Sequence, residues 1–273
     1  LIDSMITKMD FLQKHRGPDS SGKFINKEGN FGLKMSRLSI LDPELGIQPM
    51  HSHDKRFTII FNGTIINSPE LRKDLELKGV KFYTNNSDTE TLLNIMIYHG
   101  VDGIKKLNGS FAFAFYDNQN NKIICARDKF GAAPFYYFLK NGTFCFASEM
   151  KSILLANISS KEINVENLSH YLSLQWVPGP ETIIKDINKI SPGYFIEFDL
   201  NNLSFKNKKW YHFNFQPNYS VKESEWPGLI LDTLKKSVKR ATLSDVPVSC
   251  GLSGGLDSQA IVGLLSQIGH KPK

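Results

Sequence analysis

Cysteine is scarce in this sequence. Three residues in 273, Cys125, Cys145 and Cys250, cannot build a disulfide framework. Their spacing has no C-x-x-C pattern, so a structural zinc site is not expected either, and each reads as a small buried apolar side chain. A reducing, cytoplasmic setting fits this usage. No apolar run approaches the roughly 18–20 residues that a membrane span needs. The sequence also lacks the composition of disordered, collagen-like or coiled-coil chains, with 41% hydrophobic and 22% charged residues. Charge is not concentrated. The net +6 comes from 33 basic against 27 acidic residues spread along the chain. The densest stretches, Lys206 with Lys208 and Lys209, and the cluster at 235–240, read as solvated faces rather than a nucleic-acid surface. The first residue is Leu1, and Asp3, Lys8 and Asp10 interrupt any signal-peptide core, so the expectation is a fragment of a longer protein.

What is present is a long mixed α/β pattern. Ile2, Met5, Ile6, Met9 and Leu12 have helical spacing over 1–15, and residues 15–22 read as a polar loop. Strands are expected at 31–41 and 56–62, and Ser68-Pro69-Glu70 has helix-start chemistry. Ser87-Asp88-Thr89-Glu90 reads as a capping box ahead of an apolar helix ending at Gly100. Strands follow at 110–117, 122–127, 135–139 and 143–147, the last two joined by Asn141-Gly142, a short-hairpin signal. Helices are expected at 149–156 and 165–174, then a hairpin over 193–200 and 204–213. Beyond about residue 214 the texture changes. A linker leads to a helix over 224–243, a short apolar strand at 246–251, a glycine loop and a helix over 259–268. That order is the opening βα unit of a parallel, doubly wound α/β domain.

The glycine loop carries chemistry. Leu252-Ser253-Gly254-Gly255-Leu256-Asp257-Ser258 lies between an expected strand and a helix. Two glycines let backbone amides approach an anion at a helix N-terminus, and Ser253 and Ser258 add hydroxyls. The lysine of G-x-x-x-x-G-K-[ST] is missing, and so is G-x-G-x-x-G. A bare Gly-Gly here could be a plain turn, but the flanking serines and aspartate favour a ligand. The loop resembles the pyrophosphate loop of ATP pyrophosphatases. The resemblance implies that Leu252 lies beside the nucleotide of ATP and that Ser253, Gly254, Gly255 and Ser258 hold its pyrophosphate. It implies that Asp257 helps place Mg²⁺ or the loop.

A second resemblance rests on an ordered set of motifs. These are His15-Arg16-Gly17-Pro18-Asp19, Arg37-Leu38-Ser39-Ile40, Phe61-Asn62-Gly63, Ser87-Asp88-Thr89-Glu90, Gly109-Ser110-Phe111-Ala112-Phe113-Ala114 and Ala126-Arg127-Asp128, with Phe130-Gly131 and Pro134-Phe135-Tyr136-Tyr137. Singly each is weak: Arg37 reads as an ion-pair residue, Asp88 as a helix-cap neighbour, Asn62-Gly63 as a turn. In this order, and followed by the glycine loop, they resemble the class-II glutamine amidotransferase domain of the asparagine synthetase family. The resemblance implies an α+β αββα sandwich of the N-terminal-nucleophile type at 1–205, a linker at 206–223 and the start of a synthetase domain at 224–273. It implies glutamine hydrolysis by an N-terminal Cys, which none of the three cysteines here supplies. It also implies an oxyanion hole from Asn62 and Gly63, with Arg37 on the glutamine carboxylate, Leu38, Ser39, Ile40 and Leu41 lining the pocket, and Asp88 on the ammonium. Aspartate is the implied acceptor and a homodimer a possible assembly. Two positions depart from the family pattern: Thr64 stands where it places Glu, and Ile66 where Tyr is common. Thr64 points slightly towards a related amide-forming synthetase, such as the β-lactam synthetase type; a non-catalytic amidotransferase-like module used as a scaffold is a further alternative. His51 and His53 lack acidic or Cys companions and read as exposed loop residues, and Arg127 with Asp128 as a buried structural pair.

Overall fold

The computed structural model describes residues 1–270. The chain divides into two compact units, one of residues 1–39 and 44–212, the other of residues 40–43 and 213–273.

The first unit begins with helix α1 (Ile2–Phe11) and a 3-10 turn (Lys14–Arg16), followed by strands β1 (Ser20–Ile25), β2 (Gly32–Arg37), β3 (Met50–His51) and β4 (Phe57–Ile65). Helices α2 (Ser68–Leu77) and α3 (Asp88–His99) and a 3-10 segment (Gly100–Lys106) lead into β5 (Gly109–Asp117), β6 (Lys122–Arg127), β7 (Tyr136–Lys140) and β8 (Thr143–Ala147). Helices α4 (Met150–Leu155) and α5 (Val165–Leu174) and strands β9 (Ile187–Lys189), β10 (Tyr194–Asp199) and β11 (Phe205–Lys209) complete it. The strands form a six-stranded sheet in the order β11-β10-β6-β5-β4-β3, a three-stranded sheet β8-β7-β9 and the hairpin β1-β2.

Strand alternation sorts the side chains into layers. Ile59, Phe61 and Ile65 of β4 and Phe111, Phe113 and Phe115 of β5 share one face of the large sheet, where they pack with Leu71, Leu92 and Met96 of α2 and α3. Ala112, Ala114 and Tyr116 point to the opposite face and meet Leu33 of β2 and Tyr137 of β7. A third cluster joins Met9 of α1 and Ile153 of α4 to Phe138, Cys145 and Ile187 of the smaller sheet. Helices, sheet, sheet and helices thus stack with three apolar layers between them.

Local chemistry accounts for many boundaries. Pro69 stands in the first turn of α2. Asn141 and Gly142 both have positive φ, 51° and 72°, as a two-residue hairpin between β7 and β8 requires. Three readings need correction. The loop expected at 15–22 contains the start of β1, whose Ser-Ser-Gly-Lys sequence shows no apolar alternation and becomes a strand by pairing with β2. Ser87 makes no side-chain cap at α3, and Glu90 instead accepts the Tyr83 and Thr84 amides, each at 2.8 Å. The first unit also continues through β11 and the buried Trp210 to His212, past the boundary expected at 205.

The second unit holds α6 (Trp226–Ala241) and α7 (Leu256–Gln267). Leu264 and Leu265 are buried, whereas Trp226, Leu229, Ile230 and Leu234 on α6 stay exposed. The strand expected at 246–251 does not form. Its apolar sequence suits a strand, but a strand exists only against a neighbouring ladder, and none of the described residues offers one there.

Candidate functional site

Arg37 ends β2 and is buried, with Nη1 donating to Ser39 Oγ at 3.1 Å. The preceding loop holds the backbone of this segment. The Asp19 amide donates to the Arg37 carbonyl (3.1 Å), and Asp19 Oδ2 accepts the Ser39 amide (2.8 Å). Gly17 is required by space: a Cβ there would lie 2.3 Å from the Ser36 carbonyl oxygen. Glu149 anchors the other end of the loop, accepting from Arg16 at 3.5 Å and lying 2.9 Å from His15 Nε2. Leu38 is exposed beside this segment. Ile40 and Leu41 belong to the second unit, Ile40 exposed and Leu41 buried.

Asn62, Gly63 and Thr64 lie in β4 opposite Ala112, Phe111 and Ser110 of β5. Asn62 and Thr64, at even positions, share the face that carries Ala112, towards the second β layer. Gly63 has φ +140°, and a Cβ on it would lie 2.0 Å from the Ser110 carbonyl oxygen, so no other residue fits. On the edge away from β5, the amides of Phe61 and Ile65 donate to side chains: to Gln48 Oε1 at 2.7 Å and to Asp88 Oδ2 at 3.0 Å. Antiparallel alternation aims the Gly63 amide to the same edge, between those two.

Asp88 opens α3 and is almost fully buried. Burial pushes its carboxyl up from 3.8 to about 6, against the pull of hydrogen bonds from the Ile65 and Thr89 amides and of the Arg37 charge. The fold therefore brings a guanidinium, a carboxyl and a sheet-edge amide from three separated segments into one neighbourhood.

In the second unit, Ser253 Oγ and Ser258 Oγ lie 3.2 Å apart across the loop, and Ser258 Oγ donates to the Gly255 carbonyl at 2.9 Å. Gly254 takes φ +83°. Leu252, Gly255 and Asp257 are exposed, and Asp257 stands in the first turn of α7. This donor set, two hydroxyls and loop amides at a helix start, suits phosphate oxygens. No described group of three His, Cys, Asp or Glu could hold a metal ion.

Burial pushes the Cys125 thiol far up and that of Cys145 up to about 12, so neither supplies a thiolate. His51 and His53 are exposed, His51 Nδ1 lying 3.0 Å from Thr58 Oγ1 and His53 stacking on Tyr83. Arg127 and Asp128 make no ion pair with each other among the described residues. Arg127 donates to the carbonyls of Gly131, Ala133 and Ile190, and Asp128 accepts the amides of Phe111, Phe130, Ala132 and Ala133. Gly131, Ala133, Phe130 and Ala132 lie in the turn between β6 and β7, which offers their backbone groups no ladder partners. Gln48 and Glu149 escaped the sequence reading, since neither lies in a motif with a recognisable spacing.

Glutamine phosphoribosylpyrophosphate amidotransferase from B. subtilis shares the fold, with a TM-score of 0.55 at 16% identity over 99% of this chain and 62% of that one. The family model described as a glutamine amidotransferase domain matches residues 2–211, and one described as asparagine synthase matches residues 229–272. The chain belongs to the glutamine amidotransferase domain family. It is 39% identical over 267 residues to glutamine-hydrolyzing asparagine synthetase 1 of Bacillus subtilis (strain 168), covering 97% of this chain and 41% of that protein. It is 35% identical over 291 residues to putative glutamine-hydrolyzing asparagine synthetase 2 of Methanocaldococcus jannaschii, covering 98% of this chain and 55% of that one. The chain thus spans about half the length of these relatives or less.

Proposed function

We propose that this chain is the glutaminase part, and the beginning of the ATP-dependent part, of a glutamine-hydrolysing asparagine synthetase. Glutamine lies with its α-carboxylate on Arg37, its ammonium on Asp88 and its chain along Leu38 and Ser39. Its side-chain carbonyl oxygen, which becomes an oxyanion during attack, accepts from Asn62 Nδ2 and the Gly63 amide. The nucleophilic thiol is none of the three cysteines here: Cys125 and Cys145 are buried and protonated, and Cys250 sits in the segment before the glycine loop. Aspartate attacks the α-phosphate of ATP and expels pyrophosphate to give an aspartyl-adenylate, and the released ammonia then attacks its acyl carbon and expels AMP, giving asparagine. Ser253, Gly254, Gly255 and Ser258 bind the pyrophosphate, Leu252 borders the nucleotide, and Asp257 serves the Mg²⁺ that accompanies it. The second unit is the start of a doubly wound synthetase domain whose first strand, at 246–251, pairs only within the complete sheet. A cytoplasmic enzyme fits the reading, and no described helix is long and apolar enough to cross a membrane.

The observation that carries this reading is the buried Asp88, within reach of the Arg37 charge and hydrogen-bonded to β4 two residues beyond Gly63. Titration calorimetry of the 273-residue chain with glutamine tests it. Saturable binding lost in Arg37→Ala and Asp88→Asn supports the site, and no binding to the wild-type chain overturns it. Thr64 favours a second reading, an amide-forming synthetase of the β-lactam synthetase type that does not hydrolyse glutamine. ATP–pyrophosphate exchange by the full-length protein without glutamine binding would select that reading.

A further inference from the structure

We propose that Gln48 is a positioning residue that sets the distance between the oxyanion strand and the ammonium-binding helix, an inference that rests on the function proposed above. Strand β3 covers the edge of β4 only at Thr58 and Ile59. Beyond that point the outward amides of Phe61, Gly63 and Ile65 have no strand to meet. Gln48 meets the first. Its Oε1 accepts the Phe61 amide at 2.7 Å, while its Nε2 donates to Thr89 Oγ1 at 3.2 Å. One side chain is therefore bonded to the residue before Asn62 and to the residue after Asp88.

Burial makes this bridge effective. Gln48 and Thr89 are 5% and 3% exposed, so water does not compete for either bond. The Gln48 backbone is also held. Its carbonyl lies against Gly22 of β1, where a Cβ would stand 2.1 Å from the oxygen. A second polar tie between β4 and the start of α3 is Asp88 to Ile65. In the function proposed, that tie shares its carboxylate with the ligand's ammonium. Gln48 touches neither end of the ligand and keeps the two elements in register throughout. A ligand spanning both elements needs that register, and one that engages only Arg37 and Asp88 does not.

The test compares two ligands by calorimetry on the 273-residue chain: glutamine, and L-norvaline, which keeps the α-amino acid end but lacks the amide. Gln48→Met removes both hydrogen bonds at similar volume. It is expected to raise the glutamine Kd about tenfold, in line with the loss of one to two buried hydrogen bonds, and the norvaline Kd less than about threefold. Thr89→Val, which cuts only the α3 side of the bridge, is expected to act in the same direction and carries the test if Gln48→Met does not fold. Equal weakening of both ligands would indicate general loosening and overturn the proposal, as would an unchanged glutamine Kd. Failure of the wild-type chain to bind glutamine is a separate result, seen without any variant, and it removes the functional reading itself.

Discussion

Asp88 holds its Oδ2 3.0 Å from the backbone nitrogen of Ile65, which ties the first turn of α3 to the strand that carries Asn62 and Gly63. The bond places a buried carboxyl beside the site and gives it two occupations, the Ile65 amide and, in the function proposed, a ligand ammonium.

Folded, Asp88 keeps its proton up to about pH 6, whereas the unfolded chain gives it up near 3.8. The stability contributed by this group is therefore greatest below about pH 4 and is lost as pH rises to about 6. Thermal melts across that range should show Asp88→Asn gaining on the wild type as pH rises. Glutamine binding should run the opposite way, strengthening through about pH 6 as the carboxylate forms. A parallel pair of stability profiles would place the Asp88 titration elsewhere.

Gly17→Ala tests the loop that holds Arg37. The added Cβ meets backbone, 2.3 Å from the Ser36 oxygen and 2.5 Å from the Arg37 nitrogen, so no side chain can swing aside. A cost of roughly 1–3 kcal/mol is expected from overpacking, together with weaker glutamine binding. Gly29→Ala is the control, since nothing lies within 4 Å of its Cβ and its φ of +68° costs only backbone strain. Chemical denaturation and calorimetry read both effects. Equal behaviour of the two variants would refute the steric account.

Thiol labelling should separate the cysteines. Cys125 and Cys145 are buried and Cys250 is partly exposed. A colourimetric thiol reagent should modify Cys250 quickly in the native chain and reach the other two only after denaturation, with Cys250→Ser abolishing the fast phase.

In a full-length protein that carries this chain, Asn62→Ala should lower glutaminase kcat about 10²–10³-fold with a smaller change in KM, the usual loss of one oxyanion donor. A pure KM effect would assign Asn62 to ground-state binding instead.

Hydrogen exchange should separate two apolar segments that the sequence treats alike. Amides of β5, paired with β4 and β6, should be strongly protected. Those of residues 246–251, without ladder partners among the described residues, should exchange with little protection in this chain.

Local chemistry by itself determined much of the first unit. Phe111, Phe113 and Phe115 alternating with Ala112 and Ala114 require a strand with a bulky and a small face, and both faces are occupied as that pattern demands. Asn141-Gly142 and Ser68-Pro69 set a turn and a helix start through backbone preferences that do not depend on neighbours. Arg37, Asn62, Gly63 and Asp88 stand in segments whose order along the chain is characteristic, and that order is what singled them out as candidates.

Tertiary structure decided the rest. Strand β1 has no period of its own and forms because β2 lies beside it. Residues 246–251 have a strand's composition but no ladder among the described residues, and no strand forms there. Ser87 and Glu90 spell a capping box, yet the Tyr83 and Thr84 amides reach Glu90 first. Gln48 lies 13 residues from Phe61 and 41 from Thr89, and no spacing in the sequence announces a bridge between them. Hydrogen bonds to backbone amides and pairings across a sheet depend on which groups folding leaves unsatisfied, and that is settled only when distant segments meet.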